Sequence, residues 1–285
     1  MRNLIITCDS TCDLTPELYE RYEIHPIALA INLGDQLLHD QVDVTVPELF
    51  AYADEHKQLP KTAAISVGEY MEIFKKYRKT GMPVIHINIS SGLSACYQNA
   101  SIAAKEVGGV YPIDSMNLSS GSGHLAILAR ELDEQGMAVE DIVAALNEAK
   151  ERLDVSFVIQ TLEYLKMGGR CSSVAALGAN LLKLRPEIIV ADGGMKVGRK
   201  YRGDMKKSIT DYIRGRLEGR QDLQLNRIFI TYSHGIPDET IEEFKELVRS
   251  LAPFAEILTT PAGCTIASHC GPQCLGVLFF RKKAE

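Results

Sequence analysis

Ser90-Ser91-Gly92-Leu93-Ser94 puts three hydroxyls and a glycine directly after an apolar run, Val84-Ile85-His86-Ile87-Asn88-Ile89. The residues that follow, Ala95 to Glu106, have helical character. A strand, a hydroxyl-rich turn and a helix start gather free backbone N–H groups and Ser hydroxyls at the positive end of a helix. Such a turn suits an anion or a carboxylate. Ser91 is the first candidate for a direct contact, with a helix cap as the competing role for its hydroxyl. Ser94 suits the cap better.

The same stretch admits a second chemistry. Gly92-Leu93-Ser94-Ala95-Cys96 nearly fits the G-x-S-x-G elbow of a serine hydrolase, with Ser94 as nucleophile. His269 would then be the base, and Asp192 or Asp238 the acid. The fifth position is Cys rather than Gly, which counts against this reading. A nucleotide-binding enzyme is a third reading. No G-x-x-x-x-G-K-[ST] or G-x-G-x-x-G stands at a strand–helix turn, and Gly121-Ser122-Gly123 is too short to serve. Asp9 and Asp114 are expected to accept backbone N–H groups at strand ends rather than to act as catalytic acids.

Several strand–helix alternations position this turn. Leu4-Ile5-Ile6-Thr7 reads as a first buried strand and Ile27 to Leu33 as a second. Helices are expected at Glu48 to His56, at Val67 to Lys79, from Ser94, near 118–135 and near 139–153. Alternation of this kind predicts a parallel α/β sheet, whose ligands gather beyond the carboxyl ends of the strands. The second half reads as a further α/β layer, with Asp192-Gly193-Gly194 as a hairpin turn. The fold class expected is therefore α/β with two α/β domains, residues 1–153 and 154–285, the first with a mainly parallel sheet.

Composition bounds the rest. The 285 residues are 46% hydrophobic and 24% charged, and the net charge of −6 gives no general attraction for nucleic acid. No stretch approaches the roughly 20 apolar residues of a membrane span, and the N-terminus is too short in apolar residues for a signal peptide. Seven cysteines are unevenly spread and do not suggest a disulfide framework, so a reducing cytoplasm is expected. Cys264, His269, Cys270 and Cys274 lack the usual zinc spacings and read as buried thiols, with no metal expected.

Five segments, in order, resemble the DegV family. Asp9-Ser10-Thr11-Cys12-Asp13-Leu14 is similar to its DSxxDL pattern. Ser90-Ser91-Gly92-Leu93-Ser94, continuing through Tyr97-Gln98, resembles SSGLSGTYQ. Leu162-Glu163-Tyr164-Leu165 with Gly168-Gly169-Arg170 resembles LEYLKKGGR. Leu181-Leu182-Lys183-Leu184-Arg185-Pro186 resembles LLxIKP, and His269 with Gly271-Pro272 resembles HxGPG. Two departures stand out. Thr62-Ala63-Ala64-Ile65-Ser66 aligns with TSQPS but keeps only its outer hydroxyls, and Gln273 replaces the last Gly of HxGPG.

The resemblance implies an EDD-type fold and a fatty acid bound between the two domains. Some members, called FakB, present that acid to a separate kinase, FakA, which phosphorylates the carboxylate with ATP for phospholipid synthesis. It implies a lipid-binding carrier with no catalysis of its own and no cofactor, touching membranes only transiently. Carried over residue by residue, Thr62, Ser91, Ser94 and His269 would bind the carboxylate. Arg170 and Arg202 would lie near the mouth of the site and meet the acyl phosphate or the kinase. Lys206 and Lys207 read as a solvated basic face.

Overall fold

The computed structural model describes residues 3–171 and 184–283, so Leu181-Leu182-Lys183 lie outside the described residues. The strands are β1 (Ile5–Asp9), β2 (Ile24–Ile27), β3 (Ala30–Leu33), β4 (Gln36–His39), β5 (Lys61–Ala63), β6 (Val84–Asn88), β7 (Val110–Asp114), β8 (Leu153–Val158), β9 (Leu184–Ala191), β10 (Gly194–Arg202), β11 (Leu223–Tyr232), β12 (Glu256–Pro261) and β13 (Leu275–Arg281). The described helices are α1 (Pro16–Tyr22), α2 (Val46–His56), α3 (Val67–Arg78), α4 (Cys96–Val107), α5 (Ser119–Glu134), α6 (Val139–Ala149), α7 (Glu163–Gly168), α8 (Met205–Leu217), α9 (Asp238–Leu251) and α10 (Cys264–Cys270).

The first sheet has the order β2-β1-β6-β7 and is parallel throughout. Strands β1 and β6 are buried at every position, as parallel strands covered on both faces must be. The second sheet, β10-β9-β8-β13-β11-β12, is antiparallel except between β11 and β12. A small antiparallel sheet, β4-β3-β5, completes the set. The single strand expected at Ile27 to Leu33 is in fact the end of β2 and all of β3, in different sheets. The chain leaves the first sheet where the Leu29 N–H turns to Ser10 Oγ and its carbonyl accepts the Asp40 N–H. Asp192-Gly193 forms a two-residue hairpin between β9 and β10, both residues at positive φ, as expected of a type I′ turn.

Helix α5 runs between the two larger sheets, touching β1 and β6 on one side and β8, β11 and β13 on the other. Its N-terminal residues Ser119-Ser120-Gly121-Ser122-Gly123 are all buried. An added Cβ at Gly123 would lie 2.8 Å from Leu14 Cδ2, and one at Gly121 3.0 Å from Val155 Cγ2. These glycines therefore serve close packing. One buried apolar cluster joins residues of both sheets, including Ile6, Ile85, Phe157, Phe229 and Leu278. Among the described residues no helix is long and apolar enough to cross a membrane.

Candidate functional site

The Ser90–Ser94 turn is held from below by a buried polar network. Asp9 Oδ2 accepts the Ile89 N–H at 2.9 Å, and Asp9 Oδ1 accepts the Tyr70 hydroxyl at 2.7 Å. Asn88 Nδ2 also donates to Asp9. Asp114 accepts the N–H groups of Ser91 and Met116. Both acids thus hold backbone, as the sequence led one to expect. Ser90 Oγ donates to the Gly193 carbonyl at 2.6 Å and ties the turn to the β9–β10 hairpin. Gly92 is required there, since a Cβ would come within 2.5 Å of the Gly193 carbonyl oxygen.

Beside this turn lie two adjoining cavities. The first spans about 720 Å³, counting its opening to solvent, and carries the polar groups Thr62, Ser94, Arg170 and His269 on its wall. The second spans about 500 Å³, counted the same way, and is apolar, with Phe157, Leu165, Cys270, Cys274 and Leu278 in its wall. The two share Leu118, Met195, Ile266 and His269. Several hydroxyls that border the apolar chamber are turned to protein partners. Ser119 donates to Asp13, Ser233 to the Gly271 carbonyl, and Thr231 bonds with Ser120 and Thr260. These bonds face into the protein, which leaves a wall suited to hydrocarbon.

The polar end centres on Thr62 and His269, with Thr62 Oγ1 2.9 Å from His269 Nε2. Residue 269 lies in the last turn of helix α10. Burial, with the Arg170 charge added, pushes His269 down to about 4, so the ring is neutral at pH 7. Its Nδ1 has no hydrogen-bond partner among the described residues and packs against Gly168, where a Cβ would collide with it. A lone pair tolerates that contact better than a buried N–H deprived of an acceptor. The proton is therefore assigned to Nε2, which donates to Thr62 Oγ1 and frees the Thr62 hydroxyl to donate to a ligand.

Gly168 and His269 belong to separate motifs, yet they pack on each other, as do Tyr164 and Gly271. The stability that the neutral ring allows is complete above the unfolded-state value near 6.5 and is lost as pH falls towards about 4. A His269→Gln variant should accordingly lose less melting temperature between pH 6.5 and 4 than the parent. An equal decline would contradict the assignment.

Not every expected residue joins this site. The turn closes through the Leu93 and Ser94 N–H groups on the Ser90 carbonyl, which leaves Ser91 exposed and off both cavity walls. Ser94 does line the polar cavity, and its Oγ accepts the Cys96 N–H at 3.3 Å, but the N-cap position of α4 is Ala95, one residue beyond the expected cap. Arg170 lies at the polar cavity, with Nη1 2.6 Å from the Gly168 carbonyl. Arg202 is exposed at the far end of β10. It stands seven positions along the strand from Met195 in the cavity wall, at most about 23 Å at roughly 3.3 Å per residue.

The hydrolase reading finds no support. The Ser94 hydroxyl donates to Cys96 Sγ, His269 Nε2 faces Thr62, and no acid orients His269 Nδ1. Among the described residues no three His, Cys, Asp or Glu side chains are placed to hold a metal ion. Residues that the motifs did not single out include Met195 and Ile266, whose only signal was their position in small or apolar segments.

A profile of the DegV family of uncharacterised proteins matches residues 3–282. This chain belongs to the DegV family. A DegV domain-containing protein of Caldanaerobacter subterraneus is 30% identical, over 99% of this chain and all of that one. Two solved structures are similar across the DegV fold. A fatty-acid-binding DegV family protein from Thermus thermophilus has a TM-score of 0.86 at 29% identity, covering 99% of this chain and all of that one. A stearic-acid-binding protein from Eubacterium ventriosum has a TM-score of 0.85 at 27% identity, covering 99% of each chain. The α/β architecture expected from sequence is the one these two structures share.

Proposed function

We propose that this DegV protein binds a long-chain fatty acid, with the carboxylate at Thr62 and the tail in the apolar chamber. The observation that carries the reading is the shared wall at Leu118, Met195, Ile266 and His269, where a polar cavity meets a hydrocarbon-lined one. Burying about fourteen methylenes contributes roughly 11 kcal/mol at ~0.8 kcal/mol each. Ordering the chain on binding offsets part of this. The tail thus supplies affinity, while Thr62 and Ser94 orient the head and offset its lost hydration. The fatty-acid ligands of the two structural relatives support the same reading. Titration of delipidated protein with stearate should give saturable binding of one acid per chain. Absence of saturable binding would overturn the proposal.

The finer role we infer is that of a cytoplasmic FakB-like carrier without catalysis of its own. It exchanges its acid in transient contact with membranes and presents the carboxylate to a FakA-like kinase that uses ATP. Exposed Arg170 beside the head group suits an acyl phosphate and an acidic kinase surface. Arg202 would serve the same partner at a distance from the carboxylate. Arg170→Ala should slow acyl-phosphate formation by about tenfold, the scale of one guanidinium–anion contact. Stearate affinity should change little. A parallel loss of both would end the division of roles.

A further inference from the structure

Helix α10 carries Ile266 and His269, and its N-terminus is gripped by two acids from the first 40 residues. Asp13 Oδ1 accepts the Gly263 N–H at 2.8 Å, and Asp40 Oδ1 accepts the Cys264 N–H at 2.7 Å. Both acids are 1% exposed. Their second oxygens are used as well. Ser119 Oγ donates to Asp13 Oδ2 at 2.5 Å, and Ser10 Oγ to Asp40 Oδ2 at 2.9 Å. These serines lead to the cavities. Ser119 borders the apolar chamber, and Ser10 Oγ accepts the N–H of Leu29, which lines the polar cavity.

The arrangement is costly. Burial, with the Asp40 carboxylate nearby, pushes the Asp13 carboxyl well above the usual range. Asp13 and Ser119, bonded to each other, both adopt left-handed backbone, with φ of +49° and +53°. Such conformations are uncommon for residues with side chains and persist where surrounding bonds hold them. A plain hydroxyl cap would anchor a seven-residue helix without burying two carboxylates.

We propose that Asp13 and Asp40 are positioning residues for the head-group site, fixing α10 so that His269 Nε2 meets the Thr62 hydroxyl. The inference rests on the fatty-acid reading. It gives the two acids a task that neither carboxylate contact nor packing explains: setting the register between a helix from the second half and β5 from the first.

The test compares stearate with stearyl alcohol, which has the same tail and no carboxylate, on delipidated protein. Asp40→Ala should weaken stearate about tenfold, the scale of one lost buried hydrogen bond, and leave the alcohol unaffected. Asp40→Asn, whose side-chain oxygen can still accept the Cys264 N–H, should recover most of the loss. In a His269→Ala background, Asp40→Ala should add no further weakening. If Asp40→Ala does not fold, Asp13→Gly removes the companion acceptor while suiting the left-handed backbone, and the same pattern is expected. Equal weakening of both ligands, or additive losses with His269→Ala, would overturn the positioning role. Failure of the parent protein to bind stearate would instead overturn the fatty-acid reading.

Discussion

Ile266→Trp should reduce stearate affinity by roughly a thousandfold while the protein stays folded. Ile266 is half-buried and stands in the wall shared by both cavities, so an indole there takes up space where they adjoin. Denying the chamber to only five methylenes removes about 4 kcal/mol, which corresponds to roughly a thousandfold in affinity. The change adds bulk next to empty space rather than inside the packed core, so the melting temperature should hold. The check is a stearate titration beside a thermal melt. Undiminished affinity in a folded variant would mean that the tail lies elsewhere.

Thr62→Val should have the next largest effect. Valine keeps the β-branched shape that β5 accommodates and removes only the hydroxyl. The donor to the carboxylate is then lost, and His269 Nε2–H is left without its acceptor. Losses of this kind amount to about 1–3 kcal/mol, so stearate should bind about 10- to 100-fold more weakly. Stearyl alcohol should bind with little change. Equal affinity of Thr62→Val and the parent for stearate would remove Thr62 from the head-group site.

Much of this arrangement was legible in the sequence, for physical reasons. The parallel sheet follows from buried runs such as Ile5–Asp9 and Val84–Asn88, and the β9–β10 hairpin from Asp192-Gly193. Thr62, Ser94, Arg170 and His269 were named from motifs and now share one cavity wall. What stayed hidden depends on which way a side chain turns and how far apart two segments lie in space. Ser90, Ser91 and Ser94 look equivalent in a hydroxyl-rich turn. Backbone closure on the Ser90 carbonyl sends Ser91 outward and leaves Ser94 at the cavity. Arg202 was grouped with Arg170, yet the length of β10 keeps it away from the head group. The packing of Gly168 on His269 joins residues a hundred positions apart, which no local pattern reveals. Glycines in the Ser119–Gly123 stretch likewise mark helix packing rather than phosphate binding.

Together the two cavities are proposed to hold one acyl chain. Denaturing extraction of intact protein purified from its expression host, followed by mass spectrometry of the released lipid, tests it most directly. The expected result is a long-chain fatty acid close to one per chain, absent from the Ile266→Trp variant prepared in parallel. Repeated recovery of intact protein with no acyl chain, and none taken up when stearate is supplied, would contradict the account.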